Sequence, residues 1–152
     1  MSIVARLEEN ALRPAEELSA LIEHANADGA VVSFTGMARP RAKGGEGVDR
    51  LVLDHHPVLT LQSLEAIAAD ATARFEVSHV RVVHCFGAIA AGEPIVFAGT
   101  AALHRRAAFD AADYIMDRLK TEAVFWKREV GDSGSEWIEP TDADYADRER
   151  WG

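Results

Sequence analysis

The amino-acid sequence predicts an α+β fold, a mixed, mainly antiparallel sheet with three main helices and a C-terminal hairpin. Short apolar runs of strand character stand in pairs around glycine-bearing connections, and three segments repeat apolar residues at helical spacing. The two kinds of element do not alternate in the regular way that parallel βαβ units require. At 152 residues, 48% hydrophobic and 27% charged, the chain suits a single domain, residues 1–152, that buries well over half of its unfolded surface.

The elements follow in order. Pro14 with Glu16 and Glu17 reads as a helix opening, because proline fits the first turn and carboxylates favour the positive end of the helix dipole. Leu18, Leu21, Ile22 and Ala25 continue it at helical spacing, and Gly29 is the stop before a buried strand, Ala30 to Gly36. From Arg39 to Val48 the glycines and charges cannot pack a core, which predicts a mobile loop of the kind that closes on ligands. Asp49 to His55 alternates as a strand, and Leu61, Leu64, Ile67, Ala68, Ala71 and Phe75 trace one face of a long helix. Val80 to Phe86 and Pro94 to Ala102 form a strand pair joined through Gly87 to Glu93. A third helix runs from about Arg106 to Glu122, with Phe109, Ala112, Met116 and Leu119 inward. Val124 to Val130 and Glu136 to Ile138 then flank Gly131 to Ser135 as a hairpin.

Charge narrows the function. The formal net charge is -9, and the long-range repulsion this creates opposes binding to nucleic acid or to an anionic membrane. The single cysteine, Cys85, excludes an intramolecular disulfide and a multi-cysteine zinc site and fits a reducing, cytoplasmic setting. Met1 to Asn10 has no apolar run of the length a signal peptide or membrane span needs.

Against this acidic background, eight of the sixteen Lys and Arg residues lie in three segments: Arg39, Arg41 and Lys43; Arg105 and Arg106; Lys120, Lys127 and Arg128. Such a concentration reads as a pocket for an anion. Lys120 and Lys127 are seven apart across a predicted helix end, so a turn can aim both at one place. Two ammonium groups about 6 Å apart at an effective dielectric near 20 repel by roughly 3 kcal/mol, or about two pKa units on one of them. That lysine then serves as an acid or base near neutral pH. From these two residues alone the plainer account is favoured, Lys120 complementing the helix C-terminus and Lys127 snorkelling. His104-Arg105-Arg106 stands where a strand gives way to a helix, a place whose free N–H groups favour phosphate. Equally, the arginines can pair with Asp110 or Asp113 there.

Other residues carry less. His55 and His56 point to opposite faces of a strand, and His79 and His84 lack partners at ligand spacing, so no metal is expected. Cys85 reads as an inert core thiol, and Trp126 and Trp137 as packing partners across the hairpin. The usual nucleotide and hydrolase fingerprints are absent.

Taken in order and spacing, these pieces resemble one family. The carriers are Phe34-Thr35-Gly36 with Arg39; Leu53-Asp54-His55-His56-Pro57; His84 with Gly87 and Gly92-Glu93; His104-Arg105; and Leu119-Lys120 through Trp126-Lys127-Arg128-Glu129. From about Gly29 to Ile138 the chain resembles the catalytic, large subunit of molybdopterin synthase. The resemblance implies a sulfurtransferase of molybdenum cofactor biosynthesis that needs no cofactor of its own. It implies transfer of sulfur from the C-terminal Gly-Gly thiocarboxylate of a small ubiquitin-like carrier subunit to cyclic pyranopterin monophosphate, twice, to build the molybdopterin dithiolene. Two catalytic subunits are then expected as a homodimer at the centre of a heterotetramer. Carried over by position, Lys120 and Lys127 are the catalytic residues; Arg39, His104, Arg105 and Arg128 bind substrate; backbone groups of Met37 and Ala38 line the pocket; and Glu129 orients its basic neighbours. Met37, Cys85, Val124, and Pro140 with Thr141, depart from the family pattern and weaken the rim more than the lysine pair. Two other readings stand beside this one, a non-catalytic dimeric scaffold for a ubiquitin-like carrier and a phosphosugar lyase working through a Schiff-base lysine.

Overall fold

The computed structural model describes residues 2–132 and 134–152; Met1, and Ser133 in the hairpin connection, lie outside the described residues. The elements in chain order are β1 (Ser2–Glu9), α1 (Pro14–His24), β2 (Ala30–Met37), β3 (Arg50–His55), α2 (Leu59–Arg74), β4 (His79–Ala90), β5 (Pro94–Ala102), α3 (Arg105–Glu122), β6 (Phe125–Gly131), β7 (Gly134–Ile138) and α4 (Asp142–Glu149). The fold is α+β, with the strands joined in the order β2-β5-β4-β3-β6-β7 and β1 added beside β4. All pairings are antiparallel except that of β1 with β4.

Strand β4 organises the sheet by changing partners along its length. Its first half pairs with β1 and β5, its last residues, Gly87 to Ala90, with β3. The change falls at Gly87, whose φ of 92° suits a residue without Cβ; a Cβ there would collide with the Asn10 side chain. Strands β3, β6 and β7 thereby form an arm that carries the lysine-bearing strand away from the helix-covered part of the sheet.

Alternation along the central strands feeds two cores. Val80, Val82, Val96 and Ala98 pack against Leu64, Ile67, Ala68 and Ala71 of α2 and Ala108, Ala111, Ile115 and Leu119 of α3. Val83, Cys85 and Phe97 gather instead with Leu12, Leu51, Leu53 and Ile89, with Leu18 of α1 packed alongside. Side chains of successive strand residues point to opposite faces, so one run of valines supplies both cores.

Several expectations need correction. Phe109 is 53% exposed; the inward face of α3 is alanine-lined and Phe109 lies on its outer side. The segment between Arg39 and Val48 is tied to itself rather than open: Val48 N–H donates to Pro40 O, Ala42 N–H to Glu46 O, and Arg41 bridges Gly47. The connection between β4 and β5 is only Ala91 to Glu93, because β4 runs on to pair with β3. Two elements had no expectation. Strand β1 hides its pattern because Arg6, Glu8 and Glu9 interrupt it, although Ala5 and Leu7 pack on the core. Helix α4 starts in a capping box, Asp144 N–H donating to Thr141 Oγ1 (3.1 Å) and Thr141 N–H to the Asp144 carboxylate (2.8 Å). It is clamped to α3 by Arg148 on Glu122, and beyond its end Arg150 and the Trp151 indole hold Asp117. Among the described residues no helix is long and apolar enough to cross a membrane.

Candidate active site

The lysine pair is set by a short crossing. Lys120 lies in the last turn of α3, and the chain passes through Ala123 and Val124 into β6, where Lys127 is the third residue. Helix α2 pins this crossing: Thr60 Oγ1 donates to Val124 O (2.5 Å), and Val124 N–H donates to Ser63 Oγ (3.2 Å). Both lysines therefore approach one place from elements whose angle is fixed. The Lys127 amine is packed among protein atoms and its pKa is pushed down to about 8, first by that burial and then by the Lys120 ammonium, with the Asp144 carboxylate opposing. Repulsion between the lysines was the expected cause; desolvation leads it, because an ammonium loses more by leaving water than by facing a second charge across a partly wet gap.

His84 lies within reach of both lysine charges. It is 4% exposed, its ring stacks on Phe125 with centroids 4.1 Å apart and planes at 27°, and its Nδ1 bonds the Cys85 carbonyl at 2.8 Å. Burial, then the Lys127 charge, push its pKa down to about 3, against the Cys85 hydrogen bond. Cys85 is fully buried and its thiol is pushed up to about 11, chiefly by burial, which makes it the inert core thiol expected.

Glu129 stands two residues beyond Lys127 and so on the same face of β6, about 7 Å along the strand. Its carboxylate is gripped by Arg39 through two bonds, Nε to Oε2 at 2.9 Å and Nη2 to Oε1 at 3.0 Å. This fork fixes Arg39 to the strand that carries Lys127, and the contact with Glu129 raises the guanidinium pKa. The basic residue that Glu129 pairs with is Arg39.

Other expected members are elsewhere. Arg128 alternates onto the opposite face of β6, its guanidinium 6.0 Å from the centroid of the Trp137 ring. Ala38 is buried and its N–H is spent on Glu93 O (2.8 Å), while its carbonyl accepts from Gly92 N–H (2.7 Å); exposed Met37 carries its side chain outward. His104 caps the far end of α3. Sixteen residues separate it from Lys120, about 24 Å at helical rise, and side chains on a helix lean towards its N-terminus, so Arg105 points further away. Within one chain, then, the cations form two groups rather than one hollow. The alternative pairing of these arginines does not occur among the described residues: Asp113 is held by Arg150, and neither Arg105 nor Arg106 makes an ion pair.

Sequence reasoning named His84 and Phe125 only as parts of the family resemblance and gave neither a place at the lysines; Asp144 it did not single out. Among the described residues no group of three His, Cys, Asp or Glu side chains could hold a metal ion.

Comparison with known proteins adds a consistent picture. The MoaE protein family matches residues 7–122. The molybdopterin synthase catalytic subunit of Caulobacter vibrioides is 41% identical over 149 residues, covering 98% of this chain and 97% of that protein. The subunit of the same name from Pseudomonas aeruginosa is 42% identical over 146 residues, covering 96% and 97%. Among solved structures, the molybdopterin biosynthesis MoaE protein from Burkholderia ambifaria superimposes with a TM-score of 0.81 at 34% identity, over 99% of both chains. A molybdopterin synthase from Staphylococcus aureus shares the fold, with a TM-score of 0.79 at 23% identity.

Proposed function

This chain belongs to the MoaE protein family, and from that premise we propose that it is a molybdopterin synthase catalytic subunit, a single-domain cytoplasmic sulfurtransferase. It takes sulfur from the thiocarboxylated tail of a small carrier subunit and inserts it into cyclic pyranopterin monophosphate, making the dithiolene in two transfers. The observation that carries the reading is the lysine pair, with one amine held near neutrality beside a positioned arginine. Both reactants are anions that repel each other, and a site that neutralises them lowers the barrier to their meeting. Lys120, exposed and charged, draws the anions in. Lys127, close to half neutral near pH 8, moves a proton or holds the acyl end of the carrier tail. Arg39, fixed by Glu129, holds the phosphate or the tail.

His104 and Arg105 take part in this reading from a second copy of the chain. They sit about 24 Å from Lys120 along α3, and a symmetric dimer that turns one helix start towards the partner's lysines brings the halves together. Arg128 then serves the rim rather than the reacting atoms.

Replacing Lys120 or Lys127 by Ala nearly abolishes molybdopterin formation in a purified assay with thiocarboxylated carrier. Wild-type rates in both variants remove the catalytic assignment.

A further inference from the structure

His84 has no part in the reaction described so far, yet it is the buried titratable side chain nearest in kind to the chemistry. A backbone carbonyl can only accept, so the 2.8 Å contact with Cys85 O puts the ring proton on Nδ1. The ring is uncharged at neutral pH, and Nε2 keeps its lone pair. Stacking on Phe125, two residues before Lys127 on the same face of β6, fixes the plane of the ring. His84 thus contributes bulk without charge within reach of the lysine pair.

We propose that His84 is a positioning residue for sulfur transfer: its uncharged ring, pinned to the Cys85 carbonyl and stacked on Phe125, is the dry wall that keeps water from the Lys127 amine. The inference rests on the functional reading above and says which residue makes its central lysine usable. The charges acting on Lys127 are Lys120 from α3 and Asp144 from α4; His84 from β4 feels the Lys127 charge, and Glu129, held by Arg39, follows two residues along its own strand. Leu53 of β3 and Ile138 of β7 are its apolar strand neighbours. Desolvation is the largest influence on the amine; Lys120 adds to it and Asp144 opposes with the smaller effect. The wall supplies desolvation without adding a third cation, whereas a charged side chain there would cost several kcal/mol to bury.

The chain holds three lysines, Lys43, Lys120 and Lys127, so an NMR titration of lysine side chains labelled with carbon-13 reads each one separately, with Lys127→Arg as the assignment control. In His84→Ala the Lys127 midpoint rises by at least about one unit as water enters, and in His84→Phe, which keeps ring and stack, it stays within about 0.3 unit of wild type. In the carrier assay at pH 7, His84→Ala loses about tenfold in kcat with KM within about twofold, since each unit of pKa costs a decade of free amine. If Ala does not fold, His84→Asn replaces it, keeping an amide N–H for Cys85 O while vacating the ring. An unmoved Lys127 midpoint in the Ala or Asn variant overturns the proposal, and so does a Phe variant that titrates like Ala. Absence of molybdopterin from the wild-type protein defeats the functional reading alone, because the NMR titration still judges the wall.

Discussion

The two ends of α3 carry cations under opposite conditions. At the start, His104, Arg105 and Arg106 are exposed, the first turn contains no acidic residue, and their positive charges sit at the positive end of the helix dipole. At the other end Lys120 suits the negative end of the dipole and faces a half-buried Lys127 that is already pushed towards neutrality. Among the described residues Arg105 and Arg106 of the first group make no ion pair, whereas in the second group the charge of Lys127 is partly suppressed. On the proposed reading binding and chemistry are divided along one helix, whose length of about 24 Å between His104 and Lys120 keeps the two groups of one chain apart.

The sharpest way to break this contrast is to remove one residue at each end. Lys127→Ala lowers the rate of molybdopterin formation by at least about 100-fold, the scale of a lost acid or base, while Arg105→Ala raises KM and leaves kcat nearly intact. Equal kcat losses at the two ends, measured in the same carrier assay, would erase the division. Mixing the two variants tests whether the ends meet across a dimer. With substrate far below KM, where both homodimers are slow, a random mixture regains about a quarter of wild-type activity, since half the dimers then hold one intact site of two. Activity no greater than the average of the two variants places His104 and Arg105 outside the site.

Smaller effects sharpen the account of the lysine end. In Lys120→Gln the Lys127 midpoint rises by about one unit, without reaching 10.5, because burial and not repulsion is the larger cause; full recovery of the ordinary value would reverse that order. His84 leaves a mark on stability. Its folded value, about 3, lies below the ordinary 6.5, so at any pH between them the unfolded chain binds a proton that the folded chain refuses. Its contribution is complete above pH 6.5 and falls as pH drops towards 3, by at most about 1.4 kcal/mol per pH unit. Urea midpoints between pH 7 and 4.5 should fall more steeply in wild type than in His84→Phe. Lys127 acts in the same sense higher up, adding stability as pH rises from 8 to 10.5. Arg106→Ala is the smallest change, within about 0.5 kcal/mol in the same melts, as befits an exposed residue that makes no ion pair among the described residues.

Much of this was legible in the linear pattern. The strands Ala30–Met37, Arg50–His55 and Pro94–Ala102 and the three long helices follow from periodicity, since an apolar side chain at every second or every third to fourth position has one burial that satisfies it. So did the inert Cys85, the pairing of Glu129 with a basic residue, and the perturbation of one lysine by another. Phe109 was misread because its spacing fits the helix face as well as alanine does; the crowding of α3 against the sheet selects small residues and turns the ring outward. Strand β1 escaped because its cations and acids satisfy each other, Arg6 bonding Glu8 and Glu17, which only proximity in space reveals.

By itself the sequence determined which residue types exist for the chemistry: two lysines around a helix end, an arginine with a glutamate to hold it, a cationic helix start, and segments in the order of one family. Tertiary structure alone decided which of them share a space. The surroundings of Lys127 depend on His84 arriving from β4 to stack on Phe125, and the separation of His104 from Lys120 depends on α3 running unbroken from Arg105 to Glu122. The physical reason is that a pKa and a binding pocket are set by what surrounds a group in three dimensions within a few ångströms, whereas sequence spacing constrains only neighbours on the same element.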